Sequence, residues 1–457
     1  MSTKLVDHLY GSSRSEAAQR EALTNAEIPI AVYGLGKMGL PLASVYAETT
    51  GDVIGADIDP GVVETINSGE CHVKREPGLD SLVSQLVADG SLTATTDPRD
   101  AASRASVHVV IVPTPITDKH EPDLAILDAV VEDIATGLSK GDLVIIECTV
   151  PPQTTARRVR STLESESGLQ LGEFGLAFCP ERTSSGRALE DIRGAYPKVV
   201  GGVDDESTRA ATLIYEEINS QGVLPVSDAT TAEAVKVFEG LYRDVNIALA
   251  NELATMTDEL GIDVNEAIEV ANTQPFCNIH DPGPGVGGHC IPFYPYFVIE
   301  PFETDTPLLE TARAVNDSMP QFTIDKLREE FDAEGLAFED ASVLLLGLTY
   351  RPGVEEIRAS PALDIAGIGS EWGADMYGVD PMLDDTSEFD LTQLDLDDIY
   401  DQSFDAVVMV THHDEFDDIQ WGDVSRSKGQ MIVIDGRDTL DLGASDHRVY
   451  TIGGGYV

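Results

Sequence analysis

The sequence predicts an α/β protein: two lobes with mainly parallel sheets, joined by a long central helix in an α-helical middle domain. Three observations predict it. Short β-branched apolar runs alternate with helical stretches from about residue 28 and return from about 340. Such runs, buried on both faces and separated by helices, read as parallel strands. Between the two sets, DATTAEAVKVFEGLYRDVNIALANELATMTDELG (228–261) repeats apolar residues at three- and four-residue spacing over about nine turns. The 457 residues also suffice for about three folding units of roughly 150 residues.

The elements follow in order. Residues 1–27 form a polar N-terminal extension, a frayed helix or disordered lead-in with no assigned function. The first lobe, 28–225, contains the strands IPIAVYGLG, VIGADID, VHVVIVPTP, DLVIIECTV, FGLAFCPER and YPKVVGGV. The helical middle, 226–335, carries small residues at Ala248, Ala250 and Ala254 that suit close helix packing, at a subunit interface or within a core. The second lobe, 336–457, is built on ASVLLLGLTY, ADMYGVDP, DAVVMVT, MIVIDGR and RVYTIGG. The acidic run at 384–398 reads as a solvated loop or helix.

Composition limits the function. Eighty-one acids against 29 bases leave a net charge of −52, which repels nucleic-acid phosphates and anionic lipid. General nucleic-acid or membrane binding is not expected on that ground. The 42% of hydrophobic residues, in patterned runs, indicate packed structure rather than disorder. Lysine is scarce and acids dominate the solvent faces, as in proteins from a salt-saturated, halophilic cytoplasm. In 1 M salt the Debye length is about 3 Å and the self-repulsion is screened. Low salt is expected to destabilise the chain. Cys71, Cys148, Cys179, Cys277 and Cys290 are odd in number and lack CxxC spacing, which fits reduced thiols rather than disulfides or zinc. No apolar run approaches a membrane span and the N-terminus lacks a signal-peptide core, so the expected location is cytoplasmic.

Two glycine-rich segments carry the chemistry. Gly34-Leu35-Gly36-Lys37-Met38-Gly39 lies between a strand and a helix, where glycines admit a pyrophosphate to the helix N-terminus. Asp57 closes the next strand, placed to accept the ribose hydroxyls of NAD and to repel the 2′-phosphate of NADP. A tight turn without ligand is the alternative, and Asp59 lies beyond the strand end. The second segment, Pro282 to Pro292, delivers Cys290 after a run of glycines. On the residues alone Cys290 is equally a nucleophile or a small core residue.

Beyond these segments the chain contains VPTP (112–115), ECTVPP (147–152), CPERTSSGRA (179–188), Lys236 within AEAVK, GLTYRPGVEEIRASPA (347–362) and IDGRD (434–438). Together and in this order they resemble the nucleotide-sugar 6-dehydrogenases from about residue 28 to the end. The resemblance implies two Rossmann-like lobes, a long helix used for dimerisation, a homodimer or higher homo-oligomer, and a UDP-sugar substrate. It implies a four-electron oxidation of a sugar primary alcohol to a carboxylate with two NAD reduced in turn. Cys290 would form the thiohemiacetal and thioester, Lys236 would stabilise an alkoxide or oxyanion, and Thr149 and Glu181 would hold water or the C6 oxygen. Thr114 and Thr149 would join residues 34–39 and Asp57 at NAD. Glu181, Arg182, Lys236, Arg243, Asn246, Gly285, Gly287, Gly288, His289, Tyr350, Arg351 and Arg437 would contact the UDP-sugar, with Arg358 and Ser360 as weaker candidates.

Three departures from the family pattern stand out. Tyr294 replaces an aspartate usual four residues after the nucleophile, Gly240 replaces an asparagine one turn after the lysine, and residues 244–312 contain no lysine or arginine. PERTSSGRA, YRDVNIALANELA and PGPGVGGHCIPFYPYF resemble the N-acetylhexosamine branch, which implies UDP-N-acetyl-D-mannosamine as substrate. UDP-glucose or another UDP-hexosamine, a two-electron β-hydroxyacid oxidation, and a non-catalytic nucleotide-sugar-binding protein are the competing expectations. His412 and His413 lack a third ligand at metal spacing, so no metal is expected.

Overall fold

The structure, a computed structural model, describes residues 8–339, 341–426, 429–442 and 447–456. The chain divides into two compact units. The first runs to Phe238 and takes back Tyr296–Glu303, and the second holds Glu239–Pro295 and the chain from Thr304. The helical stretch read as a middle domain is thus divided between them.

The first unit is built on strands β1 (Ile30–Tyr33), β2 (Val53–Ala56), β3 (Leu92–Thr95), β4 (Val107–Val110), β5 (Leu143–Ile146), β6 (Gly175–Phe178), β7 (Lys198–Gly202) and β8 (Val223–Pro225). They form one sheet in the order β3-β2-β1-β4-β5-β6-β7-β8, parallel except where β6 meets β7. Every residue of β1, β2, β4, β5 and β6 is buried, which is why these strands read as continuous apolar runs. The chain order reverses between β1 and β4, the crevice where open α/β sheets bind ligands.

Residues 8–27, expected as a frayed helix or a disordered lead-in, contain a helix that is packed rather than frayed. Helix α1 (Glu16–Thr24) is capped by the Ser15 side chain, which accepts the Ala18 N–H. Leu9, Tyr10 and Leu23 join the core beneath the sheet. Tyr10 donates to Asp204 at 2.9 Å and Arg209 donates to the Leu9 carbonyl at 2.8 Å. The anchors are distant in sequence, so local polarity did not reveal them. Residues 1–7 lie outside the described part.

The second unit carries β9 (Ser342–Leu346), β10 (Asp375–Val379), β11 (Thr392–Gln393), β13 (Ala406–Met409), β15 (Ile432–Asp435), β16 (Arg448–Thr451) and β17 (Gly455–Tyr456), with β12 (Ser403–Phe404) and β14 (Ser425–Arg426) paired separately. The large sheet runs β11-β10-β9-β13-β15-β16-β17, and β17 alone is antiparallel to its neighbour. Helix Pro307–Ala333 packs Met319, Ile324, Leu327 and Phe331 into its core. The long helix Ala229–Thr255 contributes Ala254 to that core. Its Asp244 and Asn251 are buried against Arg313 and Asn316, with Asn251 donating to Asn316 at 2.9 Å. Among the described residues no helix is long and apolar enough to cross a membrane.

Candidate active site

In the first unit the glycine turn follows β1 into helix α2 (Gly39–Thr50). Gly34 has φ +91°, and a Cβ there would stand 2.6 Å from the Ile111 carbonyl oxygen. Gly39 must be bare because a side chain would strike the Gly34 carbonyl. Gly36 differs: a Cβ there meets nothing within 4 Å. The protein itself does not require glycine at 36, and the bare backbone there leaves room for a ligand diphosphate at the helix N-terminus. Leu35 is buried beneath Gly55 and donates its N–H to Asp57 Oδ2 at 2.8 Å, aiming the carboxylate at the strand end. Asp59 caps the next helix, accepting from Gly61 N–H, and so has a structural task. Lys37 is exposed on the turn and Met38 accepts from the Thr183 hydroxyl at 3.3 Å. Thr114 donates to the Thr149 carbonyl at 2.6 Å, tying the loops after β4 and β5. These residues fit a bound NAD.

Lys236 is buried rather than solvated. Its ammonium donates to the Glu181 carbonyl and stands 3.6 Å from Glu181 Oε2. Glu181 is delivered by the end of β6, and its carboxylate accepts the Thr183 N–H. Arg182 is held by the Pro197 carbonyl at 2.6 Å and lies over the Tyr196 ring. Two groups that sequence reasoning missed support this cluster. Glu147, fully buried, accepts from Tyr215 and Lys198 and gives its backbone carbonyl to Glu181 N–H at 3.2 Å. Glu233, also fully buried, accepts the N–H groups of Gln153 at 2.6 Å and Thr155 at 2.7 Å. Burial pushes the Glu233 carboxyl up to about 7. Its signal was an acid three residues before Lys236, on the same helix face.

In the second unit the segment from Pro282 lies flat on its neighbours. Gly283 donates to buried Asn251 at 2.9 Å, and Gly288 donates to the Arg358 carbonyl at 2.9 Å. A Cβ at Gly287 would stand 2.7 Å from both Tyr350 and Ala359, and one at Gly288 would meet the Tyr350 ring at 2.8 Å. Gly285 abuts Pro361. These glycines therefore admit the protein's own Tyr350 and Ala359. The segment brings together Gly285, Gly287, Gly288, His289, Tyr350 and Arg437, the last donating to the Val410 carbonyl at 2.8 Å with its guanidinium against Gly283. His289 bonds the Glu356 carboxylate. Arg351 lies 5.9 Å from the Tyr350 ring centroid and Arg358 covers Phe293.

Of the five cysteines Cys290 is the exposed one. Burial pushes Cys148 up to about 12 and Cys179 further, which leaves both as inert thiols. Other candidates are engaged structurally. Asn246 donates to the Asn278 carbonyl at 2.6 Å and accepts His280 N–H at 2.8 Å, holding the 278–280 loop. Arg243 is exposed and donates to the Glu239 carbonyl one turn back at 3.4 Å. Ser360 caps helix Pro361–Glu371. His412 pairs with Asp417, and buried His413 joins Asp380 and Thr349. Among the described residues no three His, Cys, Asp or Glu side chains gather as metal ligands would.

Comparison with known proteins agrees with this geometry. A UDP-N-acetyl-D-mannosamine dehydrogenase of Pyrococcus horikoshii is 37% identical over 413 residues, 90% of this chain and 96% of the relative. An NDP-N-acetyl-D-galactosaminuronic acid dehydrogenase of Ralstonia nicotianae is 38% identical over 344 residues, 74% of this chain and 78% of the relative. The solved structure of UDP-D-ManNAc dehydrogenase from Pyrococcus horikoshii has a TM-score of 0.84 at 35% identity, covering 94% of this chain and 100% of that one. Residues 28–219, 230–318 and 344–442 match, in turn, the NAD binding, central and UDP binding domains of one family. The chain belongs to the UDP-glucose/GDP-mannose dehydrogenase family, whose members are NAD-dependent oxidoreductases acting on nucleotide sugars.

Proposed function

We propose that the chain oxidises the C6 alcohol of UDP-N-acetyl-D-mannosamine to the carboxylate, with Cys290 as the covalent relay. The overall balance is alcohol plus two NAD⁺ plus water giving carboxylate, two NADH and three protons. NAD supplies the hydride acceptor for both oxidations. The space at Gly36 and the amides of α2 suit its diphosphate, and Asp57 suits its adenosine ribose. Lys236 stabilises the C6 alkoxide as the first hydride leaves. The Cys290 sulfur then bonds to the aldehyde carbon, and the thiol proton passes to the carbonyl oxygen. The second hydride loss converts this thiohemiacetal to a thioester. Water, held by Glu181 and Thr149, cleaves the C–S bond and returns the thiol. Covalent capture keeps the aldehyde from escaping between the two oxidations. Arg351, Arg437 and Tyr350 suit the nucleotide diphosphate and sugar.

The observation that carries the reading is a single exposed thiol on a segment held rigid by backbone bonds, in a chain whose relatives are named for N-acetylhexosamine chemistry. The test is NADH yield per sugar in molar potassium chloride, with UDP-N-acetyl-D-mannosamine, UDP-N-acetyl-D-galactosamine and UDP-glucose in parallel. The expected result is two NADH per UDP-N-acetyl-D-mannosamine, with the other sugars turned over more slowly. Cys290→Ser should abolish acid formation and leave NAD binding intact. One NADH per sugar in the parent protein would reject the relay, and binding without turnover would make the chain a nucleotide-sugar sensor.

The same proposal includes a homodimer working in the cytoplasm. Tyr242 and Leu249, seven residues apart on the long helix, and Met256 just past its end are 51%, 48% and 39% exposed, an apolar seam suited to a second copy. Leu249→Glu should halve the mass measured by light scattering, and a monomeric parent would reject the dimer.

A further inference from the structure

The long helix contains a glycine, Gly240, well inside its span, where glycine costs about 1 kcal/mol relative to alanine. The surroundings explain its presence. A Cβ built at Gly240 would run into the Tyr294 ring, with Cγ at 2.8 Å and the Tyr294 Cβ at 2.9 Å. Tyr294 is only 5% exposed, so its ring is enclosed where the helix lacks a side chain. Tyr294 itself closes the turn that starts at Cys290. The Cys290 carbonyl accepts the N–H of Phe293 at 3.1 Å and that of Tyr294 at 2.9 Å. The thiol itself is exposed.

We propose that Gly240 and Tyr294 act as one seat that fixes the Cys290 turn, which makes both of them positioning residues for the nucleophile. The ring is the wedge and the bare helix backbone is its slot. Neither change is tolerable alone: a side chain at 240 evicts the ring, and a small residue at 294 leaves a void beneath the turn. The two departures from the family pattern at 240 and 294 are then a single compensated change. This inference rests on the reading of Cys290 as nucleophile.

The experiment uses the full-length protein with the variants Gly240→Ala, Tyr294→Ala, Tyr294→Phe and the Gly240→Ala/Tyr294→Ala pair. Cys290→Ser serves as the control. Each is assayed for kcat and KM by NADH formation and for the rate of iodoacetamide labelling mapped to Cys290. Gly240→Ala and Tyr294→Ala should each lower kcat about 10²-fold through a misplaced thiol and alter its labelling rate, with KM for NAD unchanged. The double variant should be no worse than the poorer single, because one seat can be lost only once. Tyr294→Phe should stay near the parent value, since it keeps the ring. Additive losses in the double variant, or a Tyr294→Phe loss equal to that of Tyr294→Ala, would overturn the seat. Should Gly240→Ala fail to fold, Tyr294→Ala decides alone: parental kcat and labelling rate would reject the proposal. Cys290→Ser with full acid yield would instead reject the nucleophile reading, so the two failures are separable.

Discussion

Asp57 and Asp380 perform the same task in the two lobes: each carboxylate accepts the N–H of the leucine that follows a left-handed glycine, Leu35 at 2.8 Å and Leu348 at 2.7 Å. The likeness extends outward. Gly34 and Gly347 have φ +91° and +82°, and a Cβ on either would collide with a carbonyl of the neighbouring strand's exit, Ile111 or Thr411. Gly55 and Gly378 lie two residues before the aspartates and make room for the same two leucines. The lobes differ in what remains for a ligand. Asp380 is buried and its Oδ2 also receives the Thr349 N–H, the Thr349 hydroxyl and His413. Asp57 is half-exposed, and its other oxygen receives the Asp59 N–H at 3.0 Å. In the second lobe the device is a structural lock, and in the first it leaves a carboxylate that fits the ribose role proposed for Asp57.

Asp57→Ala therefore tests cofactor choice. Hydrogen bonds to a charged acceptor contribute about 1.5–3 kcal/mol, so NAD affinity should fall about tenfold to a hundredfold. NADP, no longer repelled, should bind relatively better. Titration of both cofactors checks this, and unchanged affinities would show that another residue holds the ribose.

Lys236→Met should lower kcat about 10²- to 10³-fold, the usual cost of losing one oxyanion partner, with NAD binding preserved. The ammonium also holds the Glu181 carbonyl, so the variant should lose protection of the 179–183 backbone in hydrogen exchange. Parental turnover would return Lys236 to a purely structural role.

What was legible in the sequence follows from burial and distance. The strands of both sheets were legible because two-sided burial writes continuous apolar text, as in Ile30–Tyr33 and Ser342–Leu346. Edge strand Leu92–Thr95 was not, since only Leu92 of its residues is buried. Lys236 and Cys290 stood out as candidates through their motifs. Glu147 and the Gly240–Tyr294 contact were not, because their meaning lies in partners far along the chain. His413 was visible as a histidine, yet its role depends on Asp380, which reads in sequence as an ordinary strand end.

Glu233→Ala should destabilise the first unit. It would leave the N–H groups of Gln153 and Thr155 without their acceptor, at about 1–3 kcal/mol each. Gln153 already adopts φ +82°, unusual for a residue with a side chain, and the carboxylate helps hold it there. Urea unfolding should register the loss, and Glu233→Gln, which keeps one acceptor oxygen, should fall between. A Glu233→Ala protein as stable as the parent would show that solvent replaces the carboxylate.

Acid stability should carry the signature of Asp380. Burial pushes its carboxyl up, but the bonds from His413 and the Thr349 and Met382 amides outweigh burial and hold it below the usual aspartate range. Asp142 behaves alike, burial being outweighed by His108 and His8 and then by the Ser139 amide. A carboxyl depressed on folding stabilises the native state above its unfolded value, about 4, and that contribution is lost as pH falls through the folded value. Glu233 has the opposite sign. Its raised carboxyl favours the fold in acid, and that contribution is lost as pH rises from about 4.5 to about 7. Unfolding free energy measured by urea in molar potassium chloride should therefore rise on acidification from pH 8 to about 5 and fall below about 4. Asp380→Asn should lower the plateau and flatten the fall, because the residue no longer titrates. A variant with the same acid slope as the parent would assign that slope to Asp142 and the surface carboxylates instead.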